Sequence, residues 1–320
     1  MVLVLWLLAF VAGVGLIVWG AEAFAEHLGR ASVRLGVSSF ALALLLAGAE
    51  PEELATAVVA SLRGSPGIAL GDVVGANVAI CLVALGVGAW IAPLPFRGGV
   101  MRYALLGLPL GAAGAWCAWD GEVGRAEGAI LVALYILYVA VIWWAERKPP
   151  ALGEVGELAE AQAAAKAGQP SRFGRDLALV MAGVAAMAGG ATLLVEAVQR
   201  ISGVEATQTR LGLTLVGFAT GFELVVLAWS AARRGISEAV VAGVVGSFAY
   251  NATMTLGAGA LARPLVLADA AILHGPLLLM LGSLALVVAL AAHKGRLART
   301  EGAILLAAYP AFLAWVLVGY

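Results

Sequence analysis

Gly48-Ala49-Glu50-Pro51-Glu52-Glu53-Leu54-Ala55-Thr56 sets three glutamates within four residues, inside a stretch (36–62) otherwise apolar enough to cross a membrane. Gly71-Asp72-Val73-Val74-Gly75-Ala76-Asn77 follows it. A second acid-bearing stretch, Ala219-Thr220-Gly221-Phe222-Glu223, is followed in the same way by Gly243-Val244-Val245-Gly246-Ser247-Phe248-Ala249-Tyr250-Asn251. An ionisable side chain at the centre of a bilayer costs about 2.5–3.5 kcal/mol even on the lenient insertion scale. Carboxylates concentrated in this way therefore point to function, and the two stretches read as copies of one another.

The rest of the chain supplies the membrane. Of 320 residues 62% are apolar and 12% charged, with a mean hydropathy of +0.99; soluble domains run near 45–50% and about 25%. Ten apolar runs have spanning length: 2–21, 36–62, 68–92, 102–119, 127–145, 176–197, 211–232, 239–261, 266–292 and 302–319. Only helices or closed barrels satisfy their backbone in lipid, and these runs far exceed the roughly 9–11 residues of a barrel strand. The expected fold is an all-α polytopic membrane protein of ten transmembrane helices. The first run is read as a span rather than a signal peptide, because it lacks a basic leader and runs into Glu22 and Glu26.

Charge distribution orients the chain. With the N-terminus outside, fourteen Lys and Arg fall in cytoplasmic loops, from Arg30 to Arg299, against five in outer loops: Arg63, Arg125, Arg200, Arg210 and Arg263. That asymmetry is the positive-inside pattern. It predicts a multi-pass protein of the cell (inner) membrane with both termini outside. Cys81 and Cys117 lie within spans and read as small apolar packers. Trp116, Trp119, Trp143 and Trp144 sit near span ends, as an interfacial belt requires.

Residues 146–175, with Pro149-Pro150 and an Ala/Glu-rich run, form the one long polar segment and read as a cytoplasmic linker between residues 1–145 and 176–320. Aligning Gly64 with Gly235, an offset of 171, pairs Gly75 with Gly246, Ala76 with Ser247, Ile80 with Asn251 and Glu52 with Glu223. Each half has an odd number of spans, so the second must enter the membrane inverted. Inverted repeats place substrate near the midplane, where broken helices of both halves meet.

The candidate site is built from Glu50, Glu52, Glu53, Asp72 and Asn77 of the first half and Thr220, Glu223, Ser247 and Asn251 of the second. On a helix Glu50 and Glu53 share a face, while Glu52 points about 100° away. Pro51 frees backbone carbonyls by breaking the helix, and Gly221 tolerates the same break. Carboxylates, hydroxyls and free carbonyls are hard-oxygen ligands, suited to Ca2+ and also to Na+ or protons. The glycines at 71, 75, 243 and 246 fit close helix packing. His274 reads as a packing histidine or a proton relay, and Glu22, Glu26, His27 and Glu196 as interfacial. No nucleophile–base pair, nucleotide loop or His/Cys metal motif is present in the sequence, so neither an enzyme nor a resident cofactor is expected.

At these residues the chain resembles the cation/Ca2+ antiporter superfamily, whose microbial sodium/calcium exchangers carry inverted alpha repeats of the form G-L-T-L-V-A-x-G-T-S-L-P-E-L, then G-N-x-x-G-S-N-I-x-N. The first copy here is Ala41-Leu42-Ala43-Leu44-Leu45-Leu46-Ala47-Gly48-Ala49-Glu50-Pro51-Glu52-Glu53-Leu54. The second is Gly212-Leu213-Thr214-Leu215-Val216-Gly217-Phe218-Ala219-Thr220-Gly221-Phe222-Glu223-Leu224. The resemblance implies a sodium/calcium exchanger-like fold, with Glu53 on the cation-binding glutamate of the first repeat. It places Thr220, Ser247 and Asn251 on second-repeat ligand positions, and Asn77 on a motif Asn.

The copies also depart from the motif. Leu224 stands where the second glutamate belongs, with Glu223 one residue early. Ala49 and Glu50 replace Thr-Ser, Ala76 the Ser, Ile80 an Asn, and Asp72 another Asn. These changes argue against three Na+ sites beside one Ca2+ site, and a carboxylate-rich site among apolar substitutions binds protons more readily. The expected function is secondary antiport of Ca2+ or a similar cation against Na+ or H+. The partners are inorganic cations and the lipid bilayer, with no nucleic acid. A proton-coupled carrier of another substrate and a transport-dead scaffold or sensor are the alternatives.

Overall fold

The computed structural model describes residues 2–34, 50–96, 99–146, 173–234 and 237–318. The expected linker lies outside the described residues but for its ends, as do residues 36–49 of the second expected span. Helix α1 (Val2–Arg34) and helix α7 (Phe173–Ile201) are the long ones, at 33 and 29 residues. At about 1.5 Å per residue both exceed a hydrocarbon core of about 30 Å, and they pack lengthwise against each other. Gly13 meets Gly190 and Gly20 meets Gly183 backbone to backbone: a Cβ on Gly13 would stand 2.8 Å from the Gly190 carbonyl oxygen. Gly15 and Gly189 have nothing within 4 Å of an added Cβ.

The remaining elements repeat. In the first half α2 (Pro51–Leu62), α3 (Pro66–Ala79), a π-helical turn (Ile80–Ala84), α4 (Leu85–Ile91) and β1 (Leu94–Pro95) follow in order. α5 (Gly99–Cys117), β2 (Glu122–Val123) and α6 (Arg125–Glu146) complete it. In the second half α8 (Glu205–Leu211), a π turn (Gly212–Val216) and α9 (Gly217–Thr220) lead into α10 (Phe222–Arg234) and α11 (Ser237–Tyr250). A π turn (Asn251–Thr255), α12 (Leu256–Ala262) and β3 (Leu265–Val266) follow, then α13 (Ala271–Lys294), β4 (Arg296–Leu297) and α14 (Arg299–Val318). From α3 to β1 every boundary recurs 171 residues later, the π turn included. A π turn widens a helix by one residue and is frequent at functional sites; here both copies directly follow the polar ends of α3 and α11.

The strands pair across the halves. Leu94 and Pro95 of β1 lie antiparallel to Leu297 and Arg296 of β4, and Glu122 and Val123 of β2 to Val266 and Leu265 of β3. Each half thus lends one strand to the other at either end of the bundle, the crossing expected of an inverted pair. Helix α3 with its π turn is buried on all sides: Ile68, Asp72, Val74, Asn77 and Ile80 are among residues 0–2% exposed. A helix apolar all round belongs at a core. The outside of the bundle presents Leu3, Leu8, Val11, Trp116, Trp144 and Val318, a surface suited to lipid.

Seven helical stretches among the described residues are long and apolar enough to cross a membrane, and they coincide with seven expected spans. Of the other three, 102–119 falls on α5 and 239–261 on α11, its π turn and α12, whereas 36–62 is described only in its second part, as α2.

Candidate cation site

Helix α2 starts at Pro51, with Glu50 as its N-cap in a non-helical conformation (φ −107°, ψ 82°) and Glu52 and Glu53 in the first turn. Across the bundle Gly221 interrupts the chain between α9 and α10, and Glu223 occupies the first turn of α10. Two helix N-termini, each a partial positive charge that favours carboxylates, thus carry acidic first turns at the interior of the fold. Both breaks match the sequence reading of Pro51 and Gly221. The shared-face reading of Glu50 and Glu53 does not hold as stated. Glu50 precedes the helix, so its side chain is free of helical spacing, and Glu52 turns inward within reach of Glu50 and Glu223 rather than away.

All nine sequence-derived residues lie in this region, and all but the half-buried Glu223 are buried. Ser247 donates from Oγ to Glu50 Oε1. Thr220 donates from Oγ1 to Asp72 Oδ1 at 2.8 Å. Asn77 Nδ2 donates to the Phe248 carbonyl at 3.3 Å and lies 3.5 Å from the Met280 sulfur. Thr255 Oγ1 donates to Asn251 Oδ1 at 3.2 Å. All of these contacts but Thr255–Asn251 join one half to the other.

Several atoms are left over. Both carboxyl oxygens of Glu53, Asp72 Oδ2, Asn77 Oδ1, Glu223 Oε2 and Asn251 Nδ2 are buried without a hydrogen-bond partner among the described residues. Glu53 is wholly inaccessible and lies in electrostatic range of Asp72, Glu52 and Glu223, with Asn251 beside it. The charged groups that act on Glu50, Glu52 and Glu53 are other carboxylates. Burying an unpaired carboxylate is costly, and burying several together is costlier. The arrangement calls for positive charge.

The halves contribute unequally. At the 171-residue spacing Glu50 faces Gly221 in the alignment, Glu53 faces Leu224, Asp72 faces Gly243 and Asn77 faces Phe248; in the other direction Ala49 stands for Thr220, Ala76 for Ser247 and Ile80 for Asn251. Only Glu52 and Glu223 are polar in both. The first half supplies acids and the second supplies hydroxyls that donate to them. Small residues let the halves meet: a Cβ on Gly75 would overlap the Leu213 carbonyl, and one on Gly217 would stand 2.5 Å from the Ala76 nitrogen.

Sequence reasoning passed over Tyr135 and Tyr250. Both are buried, their rings meet edge to face at 5.2 Å, and Tyr250 lies in range of Glu50, Glu52 and Glu53. The available signal was a tyrosine directly before Asn251 in an apolar span. His274 is half-buried in the first turn of α13, where it stacks on Trp119 at 4.3 Å and bonds its carbonyl at 2.9 Å, a peripheral packing role. Among the described residues no three His, Cys, Asp or Glu side chains converge as a metal cage. An ion seated here would complete its shell with the neutral oxygens of Thr220, Ser247, Asn77 and backbone, as hard cations do.

Inverted repeats meeting at broken helices, with buried oxygen-bearing side chains at the junction, fit a multi-pass membrane protein of the cation antiporter class. The chain belongs to the sodium/calcium exchanger protein family, whose model matches residues 5–144 and again 176–318. It is similar to the putative antiporter CaxA of Alkalimonas amylolytica, 25% identical over 93% of this chain and 94% of that protein. It is also similar to the sodium/calcium exchanger MaX1 of Methanosarcina acetivorans, 26% identical over 96% and 97%. The solved structure of the sodium-calcium exchanger NCX_Mj soaked with 10 mM Na+ and 10 mM Sr2+ has the same fold, with a TM-score of 0.62 at 22% identity over 98% of each chain.

Proposed function

We propose that the protein is a secondary active antiporter that exchanges Ca2+ or a similar cation against Na+ or H+, by alternating access at the carboxylate cluster. The observation that carries this reading is Glu53, wholly buried, with neither oxygen hydrogen-bonded among the described residues and with carboxylates for neighbours. A cation or proton supplies the missing charge, and exchanging one for another moves ions without leaving the site bare. In this reading Glu53 and Asp72 hold the ion directly, Thr220 and Ser247 orient the carboxylates, and Glu50, Glu52 and Glu223 balance charge. The helices α1 and α7, held to each other by their glycine contacts, slide as a pair on the remaining bundle. The protein sits in the cell (inner) membrane with both termini outside and residues 146–175 as a cytoplasmic connection, which the distribution of basic residues supports.

The test is counterflow in proteoliposomes with the Glu53→Gln variant as control. Wild-type protein is expected to exchange Ca2+ against an imposed Na+ or H+ gradient, each gradient applied alone to identify the coupling ion. Glu53→Gln is expected to abolish exchange. Unchanged exchange in that variant overturns the site, and absence of both exchange and cation-dependent thermal stabilisation in the wild type favours a scaffold.

A further inference from the structure

Helices α13 and α14 share a groove of about 720 Å³ whose floor is the core helix: Val78 of α3 and Leu82 of its π turn line it, both buried. Leu278 and Leu286 of α13 and Phe312 of α14 form its sides. Small residues keep it open. Gly282 and Ala308 bring at most a methyl group into it, and a Cβ added at Gly282 meets nothing within 4 Å among the described residues. Trp315 closes one end, for a Cβ on Gly275 would overlap its ring. Ser283 also lines the groove, but its hydroxyl donates to the Met280 carbonyl at 2.7 Å. Apolar cavities stay dry, and an unfilled one forfeits the dispersion contacts of its walls.

The groove has the depth of one leaflet. Val78 is the thirteenth residue of the 26-residue apolar stretch Pro66–Ile91, and so lies near the middle of the membrane. From Gly275 to Leu286 the lining advances eleven residues along α13, about 17 Å at about 1.5 Å per residue. Half of a hydrocarbon core is about 15 Å. The groove is continuous with the lipid-facing outside of the bundle, where Leu278 is 58% exposed.

We propose that this groove is a binding site for an acyl chain of a bilayer phospholipid, and that the bound chain holds α13 against the core helix at the depth of the cation site. Met280 of α13 is buried, with its sulfur 3.5 Å from Asn77 Nδ2, and Asn77 directly precedes Val78 on α3. The same strip of α3 therefore meets the groove and, one residue earlier, the junction between the halves. The leaflet-long reach and the lack of a free polar side chain to fix a partner's register favour a hydrocarbon chain over a second copy of the protein. The proposal stands whichever ion the protein carries.

The test uses the full chain purified in detergent, stripped of lipid and titrated with palmitoyl-oleoyl phosphatidylglycerol. Native mass spectrometry reads the lipid bound, and thermal unfolding reads its effect. Wild type is expected to hold one phospholipid per chain more tightly than any further lipid, and to melt at higher temperature as the lipid returns. Gly282→Leu and Ala308→Leu each put a leucine side chain into the groove. Both are expected to weaken that one lipid about tenfold, to melt above wild type when stripped, and to gain little from added lipid. A substitution that merely damaged the fold would lower the stripped melting temperature instead. Gly15→Leu is the control, since a Cβ there also meets nothing within 4 Å but lies on α1, away from the groove; it should bind lipid as wild type does. Lipid binding and lipid response equal in wild type and both groove variants would show only a loose surrounding layer and overturn the proposal. A wild-type dimer that both groove variants split would give the groove to a second copy and overturn it too. Absence of cation exchange in the wild type would count against the antiporter reading alone, with the lipid titration still deciding the groove.

Discussion

Asn77 donates from Nδ2 to the main-chain carbonyl of Phe248, 3.3 Å away, and the two residues are separated by the 171 positions of the repeat. Each is therefore the other's counterpart, and the bond joins equivalent points of the two halves where they meet. The motif carries an Asn at both places. Here Phe248 fills one of them, wholly buried, with its ring against Gly111 and Gly107, and the remaining Asn spans the gap alone. One polar side chain makes this contact across the junction.

Removing it should cost stability. Asn77→Leu leaves the Phe248 carbonyl without its side-chain donor, and interhelical hydrogen bonds in membranes are worth about 0.6–2 kcal/mol. The expected result is a loss of that size in thermal or denaturant unfolding in detergent. Phe248→Leu, which keeps the carbonyl, should lose packing against Gly111 but leave the Asn77 bond intact. Equal stability of Asn77→Leu and wild type would show that the contact does not hold the halves together.

Thr220→Val tests the second bridge. The substitution keeps shape and removes the hydroxyl that donates to Asp72 Oδ1 at 2.8 Å. Among the described residues Asp72 Oδ2 already lacks a partner, so neither oxygen of the carboxylate would keep a donor there. Destabilisation of about 1–3 kcal/mol follows from a stranded buried acceptor, and Thr220→Ser should recover most of it. Added cation should restore part of the loss in Thr220→Val, read as a larger cation-dependent rise in melting temperature than in wild type.

Glu50 and Ser247 belong together in one double-mutant cycle. Their bond links the N-cap of α2 to α11, so Glu50→Gln and Ser247→Ala should be non-additive by about 0.5–3 kcal/mol in unfolding free energy. Additivity within about 0.3–0.5 kcal/mol would mean that the two side chains act separately.

Much of this was legible in the sequence, for physical reasons. Glu50, Glu52 and Glu53 stand out because lipid penalises charge, Pro51 marks the start of α2 because proline is favoured in a helix's first turn and costly in its interior, and the offset between Glu52 and Glu223 carries over to every boundary from α3 to β1. What escaped depends on contacts between elements. The inward turn of Glu52 follows from Glu50 lying off the helix, which periodicity does not encode. The approach of Tyr250 to the carboxylates requires knowing which helices touch. Gly15 and Gly189 look like Gly13 and Gly190 in composition and differ only in the face they occupy.

That last difference gives a test within two adjacent residues. A Cβ on Gly190 would stand 2.6 Å from the Gly13 carbonyl oxygen and 2.9 Å from Ile17, whereas one on Gly189 would meet nothing within 4 Å. Gly190→Ala must push α7 off α1 and should destabilise the protein by about 1–3 kcal/mol, as overpacking does. Gly189→Ala changes no contact and should be neutral or stabilising by up to about 1 kcal/mol, since alanine favours a helix over glycine. If α1 and α7 slide during transport, Gly190→Ala should also slow exchange severalfold while Glu53-dependent cation binding persists. Equal effects of the two substitutions on melting temperature would show that the α1–α7 contact is not held by its glycines.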